Sequence, residues 1–295
     1  MTGTRGFLLG KFLPPHRGHQ YLIEFARAYV DRLTVLVCTI EREPIPGRLR
    51  YQWMCEAFPG VDLVHHTDEI PQAPQEHPQF WDIWRDSIRR HAPGRIDYVF
   101  ASEDYGSRLA RELDARFVPV DIARRNVPVS GRAIRADPMA HWDELLPPVR
   151  PYYLKRVWLG DAALAQALAA HFRTVCVHAY DGGLQGREPR DSDELHRLIR
   201  GQMAAEHALA RRANRVLLCE ADALTVSSWF KAPPELHDAM RSFDLYLLSA
   251  SDRPWSDVVV HKQPILRLQG TREEQFRRAC DAIAHLIASV SMTSA

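Results

Sequence analysis

The sequence of 295 residues predicts an α/β protein made of two doubly wound parallel-sheet domains. Short apolar segments alternate with one-sided amphipathic helices along both halves of the chain, which is the pattern of a parallel sheet covered by helices. Between the halves, Pro147, Pro148 and Pro151 interrupt the pattern, because prolines this dense cannot continue a helix or a central strand. We therefore place the two domains at residues 1–148 and 152–295.

The composition is that of a globular protein and excludes several classes. With 46% hydrophobic and 25% charged residues, the chain can build two cores, and a net charge of +1 gives no sign of a nucleic-acid or membrane surface. Its five cysteines are widely spaced without a C-x-x-C pair, so neither a disulfide framework nor a zinc site is predicted. The first strand leaves no room for a signal peptide, and no apolar run approaches the roughly 18 residues of a membrane span, so we expect a cytoplasmic protein.

The first strand, predicted over residues 6–9, leads through a short loop into a helix over roughly residues 18–30. Such a junction lies at the carboxyl edge of a parallel sheet, where ligands bind and where a helix N-terminus attracts phosphate. In the loop, Gly10 and Gly18 allow close backbone approach, and His16 and His19 supply donors that a polyphosphate can hold in the charged form. Taken alone, the H-x-G-H spacing also fits a surface turn with two solvated imidazoles.

The whole pattern from Gly10 to His19, G-x-F-x-P-x-H-x-G-H, resembles the signature of the nucleotidyltransferase superfamily. The second signature of that superfamily, S-x-T-x-x-R, is matched from Ser130 to Arg135, with Arg132 in place of the usual threonine. The resemblance implies catalytic roles for four residues: His16, His19, Lys11 and Arg135. It implies ATP contacts from six: Gly10, Phe12, Gly18, Ser102, Ser130 and Arg132.

Three further segments, residues 41–51, 71–84 and 101–106, resemble the NadR-type bifunctional nicotinamide-mononucleotide adenylyltransferase and ribosylnicotinamide kinase family. The resemblance covers nearly the whole chain and is strongest over residues 5–150. In related adenylyltransferases a tryptophan at the position of Trp84 stacks on the nicotinamide ring, and a cationic pyridinium is attracted to an indole face. Trp81 shares that helix face, and Arg50 is the third candidate for binding nicotinamide mononucleotide (NMN). The alternative is that both tryptophans are core residues.

The second half predicts another parallel sheet. Strands are expected over residues 156–160, 174–180, 215–219, 243–248 and 264–268. Helices are expected over residues 191–213 and 271–290, the latter opening on a capping box of Thr271 and Glu274.

The kinase domain of the family needs a glycine-rich loop with a lysine after its first strand, and this chain lacks it. Gly160 runs directly into Asp161 and a helical segment, and an aspartate at a helix start repels a triphosphate. Glu220 and Asp222 could hold magnesium but have no phosphate partner without the loop. Residues 253–264 are short where the family has an arginine-bearing lid. We therefore expect a phosphate-loop-kinase-like domain without the loop and without kinase activity.

The resemblance implies an enzyme that forms NAD and pyrophosphate from ATP and NMN, by in-line attack of the mononucleotide phosphate on the α-phosphate of ATP. Mg²⁺ is expected on the ATP phosphates without a dedicated carboxylate cage, so no protein metal ligands are predicted. No room remains before the first strand for the helix-turn-helix module of some family members, which disfavours a repressor role. Homo-oligomerisation stays open. Two alternatives stay open as well: a different acceptor, nicotinate mononucleotide or pantetheine phosphate, and a non-catalytic NAD or ATP sensor.

Overall fold

The structure, a computed structural model, describes residues 3–185, 187, 189–221, 243–249 and 264–289. The chain forms two compact units, one reaching to Val149 and the other running from Arg150 to Ser291. No helix in these described ranges is long and apolar enough to cross a membrane.

Unit 1 alternates strands and helices from its first residues. Its strands are β1 (Arg5–Gly10), β2 (Arg32–Cys38), β3 (Asp62–His66), β4 (Tyr98–Ala101) and β5 (Arg116–Pro119). Its helices are α1 (Arg17–Tyr29), α2 (Gly47–Ala57), α3 (Phe80–His91), α4 (Tyr105–Glu112) and α5 (Gly131–Ala136). Single turns of 3-10 helix cover Pro74–Glu76 and Trp142–Glu144.

The five strands of unit 1 form a parallel sheet in the order β3-β2-β1-β4-β5. The central strand β1 is apolar on both faces, and Phe7 and Leu8 are fully buried between the helices that cover the sheet. The chain moves outward from β1 in one direction through β3 and then returns to continue through β4 and β5. The carboxyl ends of β1 and β4 therefore flank the point where the strand order reverses, which is where open α/β sheets bind ligands.

Unit 2 repeats the architecture with different helices. Its strands are β6 (Lys155–Leu159), β7 (Cys176–Val177), β8 (Val216–Cys219), β9 (Leu245–Ser249) and β10 (Ile265–Leu268). Its helices are α6 (Arg150–Tyr153), α7 (Ala162–His171), α8 (Ser192–Ala210) and α9 (Arg272–Ala288). The strands are parallel in the order β10-β9-β6-β8-β7, around a core that includes Val157, Leu168 and Leu247.

The predicted fold class of two parallel-sheet α/β units is confirmed, with three local corrections. Residues 150–153 form one helical turn where only a connector is predicted. Pro151 is compatible with this turn because the N–H groups of the first turn make no intrahelical hydrogen bond, so the N–H that proline lacks is not needed there. The strand predicted over residues 174–180 is reduced to Cys176–Val177 at the edge of the sheet. The strand predicted from residue 156 begins at Lys155. The capping box of Thr271 and Glu274 is confirmed.

Candidate active site

A pocket of about 630 Å³ opens at the carboxyl edge of the unit 1 sheet. That volume lies within the range of clefts that hold nucleotides and other small ligands. Most predicted site residues line it: Lys11, His16, His19 and Arg135 from the catalytic set, Gly10, Phe12, Gly18, Ser102, Ser130 and Arg132 from the ATP set, and Trp81 and Trp84. Both signature motifs thus contribute to one cavity.

The two histidines are fixed by the backbone at the start of α1. His16 is the N-cap residue, and its Nδ1 accepts a hydrogen bond from the Gly18 N–H at 3.1 Å. His19 reaches back so that its Nδ1 accepts from the His16 N–H at 3.3 Å. The rings stack with centroids 3.8 Å apart. This is the geometry of a capping box built from two imidazoles instead of a hydroxyl and a carboxylate.

These hydrogen bonds decide the tautomer of both rings. Since a backbone N–H can only donate, each Nδ1 must lack a proton, and the proton of the neutral imidazole lies on Nε2. Burial, reinforced by the charge of Arg124, lowers the pKa of His16 to about 4. Burial and the neighbouring His16 and Arg124 lower the pKa of His19 well below its usual range. Both side chains therefore present neutral Nε2–H donors near pH 7, whereas the sequence predicts donors that a polyphosphate could charge.

Phe12 and Gly131 shape the loop that follows β1. Phe12 is buried and packs edge-on against His19, with ring centroids 4.8 Å apart, so it supports that imidazole. Gly131 opens α5, and a Cβ atom there would lie 2.5 Å from the Leu13 carbonyl oxygen. Arg135 donates from its guanidinium to the same carbonyl. The close approach of α5 to the loop of β1 therefore depends on glycine at position 131.

Among the residues that the structure describes, the cationic side chains that line the pocket are Lys11, Arg124, Arg132 and Arg135. Lys11 is half exposed, and its Nζ lies 3.0 Å from the Glu43 carboxylate. Ser130 caps α5 by accepting from the Ala133 N–H at 3.2 Å, which leaves its hydroxyl proton free to donate. Such an arrangement suits a ligand that carries several negative charges.

Arg50 requires a correction. It is fully buried and lies outside the pocket lining, and its guanidinium donates to the Glu43 carboxylate and to the carbonyls of Ile45, Lys11 and Cys38. Because Arg50 makes four hydrogen bonds to the protein and lies outside the pocket lining, it is not placed to bind a ligand in the pocket. It is a positioning residue that holds the Lys11 carbonyl and therefore the start of the loop.

Glu43 completes this buried ion group. Burial alone would raise the pKa of Glu43, but hydrogen bonds from Lys11 and the Ile40 N–H, together with the charge of Arg50, keep it below its usual range. The carboxylate is therefore ionised between two cations, of which only Lys11 reaches the pocket.

The two tryptophans of α3 have different surroundings. Trp84 is buried, its Nε1–H donates to the Pro71 carbonyl at 2.8 Å, and His66 stacks on its ring at a centroid distance of 5.4 Å. Trp81 is more open, contacts Phe80 edge-on and carries the Arg108 guanidinium 5.8 Å from its ring centroid. The tryptophan proposed to stack on the nicotinamide is thus a rigid part of the core that borders the pocket.

A polar network lies next to Trp84 and fixes its position. Ser87 Oγ lies 2.8 Å from His66 Nε2 and donates to the Asp68 carboxylate at 2.8 Å, which also accepts from Arg90 at 3.1 Å. The network joins the segment after β3 to α3, so both the backbone around Pro71 and the ring of Trp84 are held in place.

Sequence reasoning missed Arg124 and Asp121. Asp121 accepts from the backbone N–H groups of Arg125, Asn126 and Val127 at 2.8, 3.1 and 3.2 Å, which folds the segment after β5 into a tight loop. This loop places Arg124 in the pocket lining, with its guanidinium 3.6 Å from the Glu103 carboxylate. The charge of Arg124 contributes to the low pKa values of His16 and His19. The pair of arginines five and six residues before Ser130 is the sequence signal that could have indicated this position.

Comparison with known proteins shows which proteins this chain is similar to. The chain is 24% identical over 290 residues to the trifunctional NAD biosynthesis/regulator protein NadR of Escherichia coli K12, which covers 85% of this chain and 70% of that protein. The chain is thus similar to NadR over most of its length. The chain also matches the nicotinamide-nucleotide adenylyltransferase of Halorubrum lacusprofundi, at 26% identity over 153 residues that cover 48% of this chain and 81% of that protein. No family model matches the sequence.

The NadR resemblance extends to the fold. A crystal structure of a NadR protein in complex with NAD and AMP-PNP aligns with a TM-score of 0.73 at 18% identity, covering 97% of each chain. One of a NadR protein in complex with NR aligns with a TM-score of 0.74 at 17% identity, again over 97% of each chain. The predicted relationship to NadR-type proteins is confirmed, and the two-unit architecture is that of these structures.

Proposed function

We propose that unit 1 is a nicotinamide-nucleotide adenylyltransferase, which joins NMN to the adenylyl group of ATP and releases pyrophosphate. The observation that carries the proposal is the stacked pair His16 and His19, whose Nδ1 atoms are committed to the backbone at 3.1 and 3.3 Å and whose Nε2–H groups remain as donors in a cation-lined pocket. The names of the relatives, NadR and nicotinamide-nucleotide adenylyltransferase, support the same reaction.

The reaction needs no covalent intermediate with the protein. A 5′-phosphate oxygen of NMN attacks the α-phosphorus of ATP, the new P–O bond forms, and the bond to the bridging oxygen of pyrophosphate breaks. The protein then contributes positioning and stabilisation of the charge that develops on the phosphate oxygens. His16 and His19 donate to the α-phosphate and to the β- and γ-phosphates, and Lys11, Arg124 and Arg135 balance the departing pyrophosphate.

Neutral imidazoles suit this task. Because their tautomers are fixed before ATP arrives, no reorganisation is required when charge develops, and a preorganised donor of this kind contributes about 3–4 kcal/mol to transition-state stabilisation. Arg132 stands where the superfamily has threonine, and in this chain it adds a cation at the edge of the pocket.

ATP enters as its Mg²⁺ complex in this proposal, so the metal is part of the substrate. Among the described residues that line the pocket, the carboxylates are Glu103, which faces Arg124, and Asp121, which is occupied by three backbone N–H groups. Since neither fits a dedicated Mg²⁺ cage, the ion in this proposal is held mainly by phosphates and water.

The tryptophans that line the pocket favour a pyridinium mononucleotide over pantetheine phosphate, and the names of the relatives favour NMN over nicotinate mononucleotide. Trp84 has a neutral imidazole on one side, since burial lowers the pKa of His66 although Asp68 opposes the shift. A cationic pyridinium gains from an indole face more than the uncharged pantetheine chain does.

One assay tests the function and its alternatives. The full chain is given Mg-ATP with NMN, nicotinate mononucleotide or pantetheine phosphate, and pyrophosphate release is measured together with the dinucleotide product. We expect release with NMN and formation of NAD. Release only with another acceptor would reassign the substrate, and ATP binding without release for any acceptor would identify a sensor.

A further inference from the structure

A second cluster of reactive side chains lies in unit 2, at the carboxyl edge of its sheet. In the parallel pairing of β7 with β8, Cys176 lies opposite Leu218 and Val177 opposite Cys219. The next ladder bond, from the Glu220 N–H to the Val177 carbonyl at 2.9 Å, extends that register and brings His178 level with Glu220. Because side chains alternate along a strand, Cys176, His178 and Glu220 share one face of the sheet.

Their donor atoms converge. His178 Nδ1 lies 2.6 Å from Glu220 Oε1, and Cys176 Sγ lies 3.9 Å from the same oxygen. The sulfur, nitrogen and oxygen ligand atoms all lie within 4.8 Å of one another. A tetrahedral Zn²⁺ with bonds of about 2.3 Å to sulfur and about 2.0–2.2 Å to nitrogen and oxygen separates its ligands by roughly 3.3–3.6 Å. Shifts of less than about 1 Å at His178 and Glu220 would meet those separations.

We propose that Cys176, His178 and Glu220 form a binding site for Zn²⁺ in unit 2. Thiolate, imidazole and carboxylate together select a borderline-soft divalent cation over Mg²⁺, which prefers oxygen alone. Three side chains leave one position of a tetrahedral shell for water or another ligand. Asp222, which the sequence indicates as a second possible magnesium ligand beside Glu220, lies outside the described residues.

The site is supported from behind by Gln202 of α8. This side chain is fully buried, its Oε1 accepts from the Tyr180 N–H at 2.9 Å, and its Nε2 donates to the Ala221 carbonyl at 2.8 Å. It therefore ties together the two segments that directly follow His178 and Glu220. By fixing the backbone next to both ligands, this cross-link favours their convergence, so its loss should weaken metal binding less than the loss of a ligand does.

Two other interpretations fit less well. As a nucleophilic triad the group is poorly arranged, because the Cys176 sulfur and the His178 imidazole both face the carboxylate of Glu220 instead of pairing with each other. The His66, Asp68 and His91 group of unit 1 also has metal-ligand chemistry. There, Ser87 and Arg90 already occupy His66 and Asp68 in the network behind Trp84.

Cobalt binding to the full chain tests the proposal directly. The protein is stripped with a chelator and titrated with Co²⁺, whose thiolate charge-transfer band reports sulfur ligation, and Zn²⁺ affinity is then measured by competition with a chromophoric chelator. We expect one Co²⁺ per chain with a thiolate band that Zn²⁺ abolishes. Absence of a thiolate band in the wild-type protein would overturn the proposal, whether or not any variant folds.

Variants then locate the site. Cys176→Ser should remove the thiolate band. His178→Gln should weaken Zn²⁺ binding by about a hundredfold or more, because mutation of residues that only hydrogen-bond metal ligands already lowers metal affinity about 10–100-fold. Gln202→Met should keep the band and weaken binding roughly tenfold. Cys55→Ser, which alters an exposed cysteine of unit 1, is the matched control. Loss of the band in Cys55→Ser with retention in Cys176→Ser would refute the assignment, and NAD formation should be unaffected by all four substitutions.

Discussion

The chemistry of the first loop rests on two imidazoles whose protons are fixed before any ligand binds. In His16 and His19 the Nδ1 atom serves as a helix-capping acceptor and Nε2–H as the outward donor. In the reaction that we propose, each side chain performs a structural and a catalytic task with different atoms. The two tasks can therefore be separated by substitution with asparagine, whose Oδ1 lies near the position of Nδ1 and can accept the same backbone hydrogen bond; at His16, the N-cap residue, asparagine is also a favoured cap.

His16→Asn and His19→Asn should each lower turnover by about 10²–10³-fold while leaving the melting temperature nearly unchanged, because each loses one preorganised donor and keeps the cap. Steady-state kinetics of NAD formation and thermal melts measure both effects. His141→Asn, outside the pocket lining, is the control. Near-normal turnover in both variants would remove these histidines from the catalytic machinery.

The low pKa of His16 makes unit 1 sensitive to acid. An unfolded imidazole binds a proton near its ordinary pKa of 6.5, whereas folded His16 does so only at about 4. Between these values the unfolded state binds more protons, so stability falls as pH falls, by roughly 2 kcal/mol for His16 at pH 5. His16→Asn should therefore lose less stability than wild type between pH 7.5 and pH 5 in thermal melts. Equal losses would show that His16 titrates normally.

Trp84 is expected to act on the mononucleotide alone. Trp84→Phe should raise KM for NMN roughly threefold to tenfold, which corresponds to partial loss of a cation–π and apolar contact, and should leave KM for ATP unchanged. Phenylalanine is preferred to alanine because a buried tryptophan reduced to alanine costs about 3–5 kcal/mol of stability. Trp142→Phe, which alters a buried tryptophan of unit 1 outside the pocket lining, is the matched control. If both KM values rise with a lower melting temperature, Trp84 is a core residue only.

The geometry of the site depends on the packing of helix α5 against the loop that follows β1. Gly131→Ala would place a methyl group 2.5 Å from the Leu13 carbonyl oxygen, so α5 must move away and carry Ser130 and Arg135 with it. Displacements of about 1 Å can cost roughly 10²-fold in rate. We expect kcat to fall by at least tenfold, measured against Ala136→Ser on the exposed end of the same helix. Unchanged kcat would show that the contact does not set the geometry.

The sequence predicts correctly those features that depend on residues close to one another in the chain. The strand-to-helix junction, the N-cap Ser130 and the capping box of Thr271 follow from neighbouring residues, and the structure contains them. Arg50 was misassigned because its partners lie up to 39 residues away, and no local pattern states whether a guanidinium is buried. Arg124 was missed for the same reason: its direction is set by a turn around Asp121 that only the folded chain defines.

For the chain as a whole, the two units share an architecture but differ at the turn that decides phosphate chemistry. In unit 1 the loop from Gly10 to α1 is long enough to carry both histidines and to meet α5. In unit 2 only Gly160 and Asp161 separate β6 from α7. The Asp161 carboxylate accepts from the Leu164 N–H at 3.0 Å and pairs with Arg272, so the protein itself caps the helix start.

We therefore expect that unit 2 does not phosphorylate nicotinamide riboside. A phosphate loop supplies several backbone N–H groups and a lysine, which together contribute several kcal/mol to phosphoryl transfer, and a two-residue turn capped by an aspartate cannot supply them. The full chain, incubated with nicotinamide riboside and Mg-ATP, should form neither NMN nor NAD, while the same preparation should form NAD when NMN is supplied. Asp161→Lys should not rescue the activity, because the turn remains too short to enclose a triphosphate. NAD formed from nicotinamide riboside at a rate proportional to enzyme would return the protein to the bifunctional class.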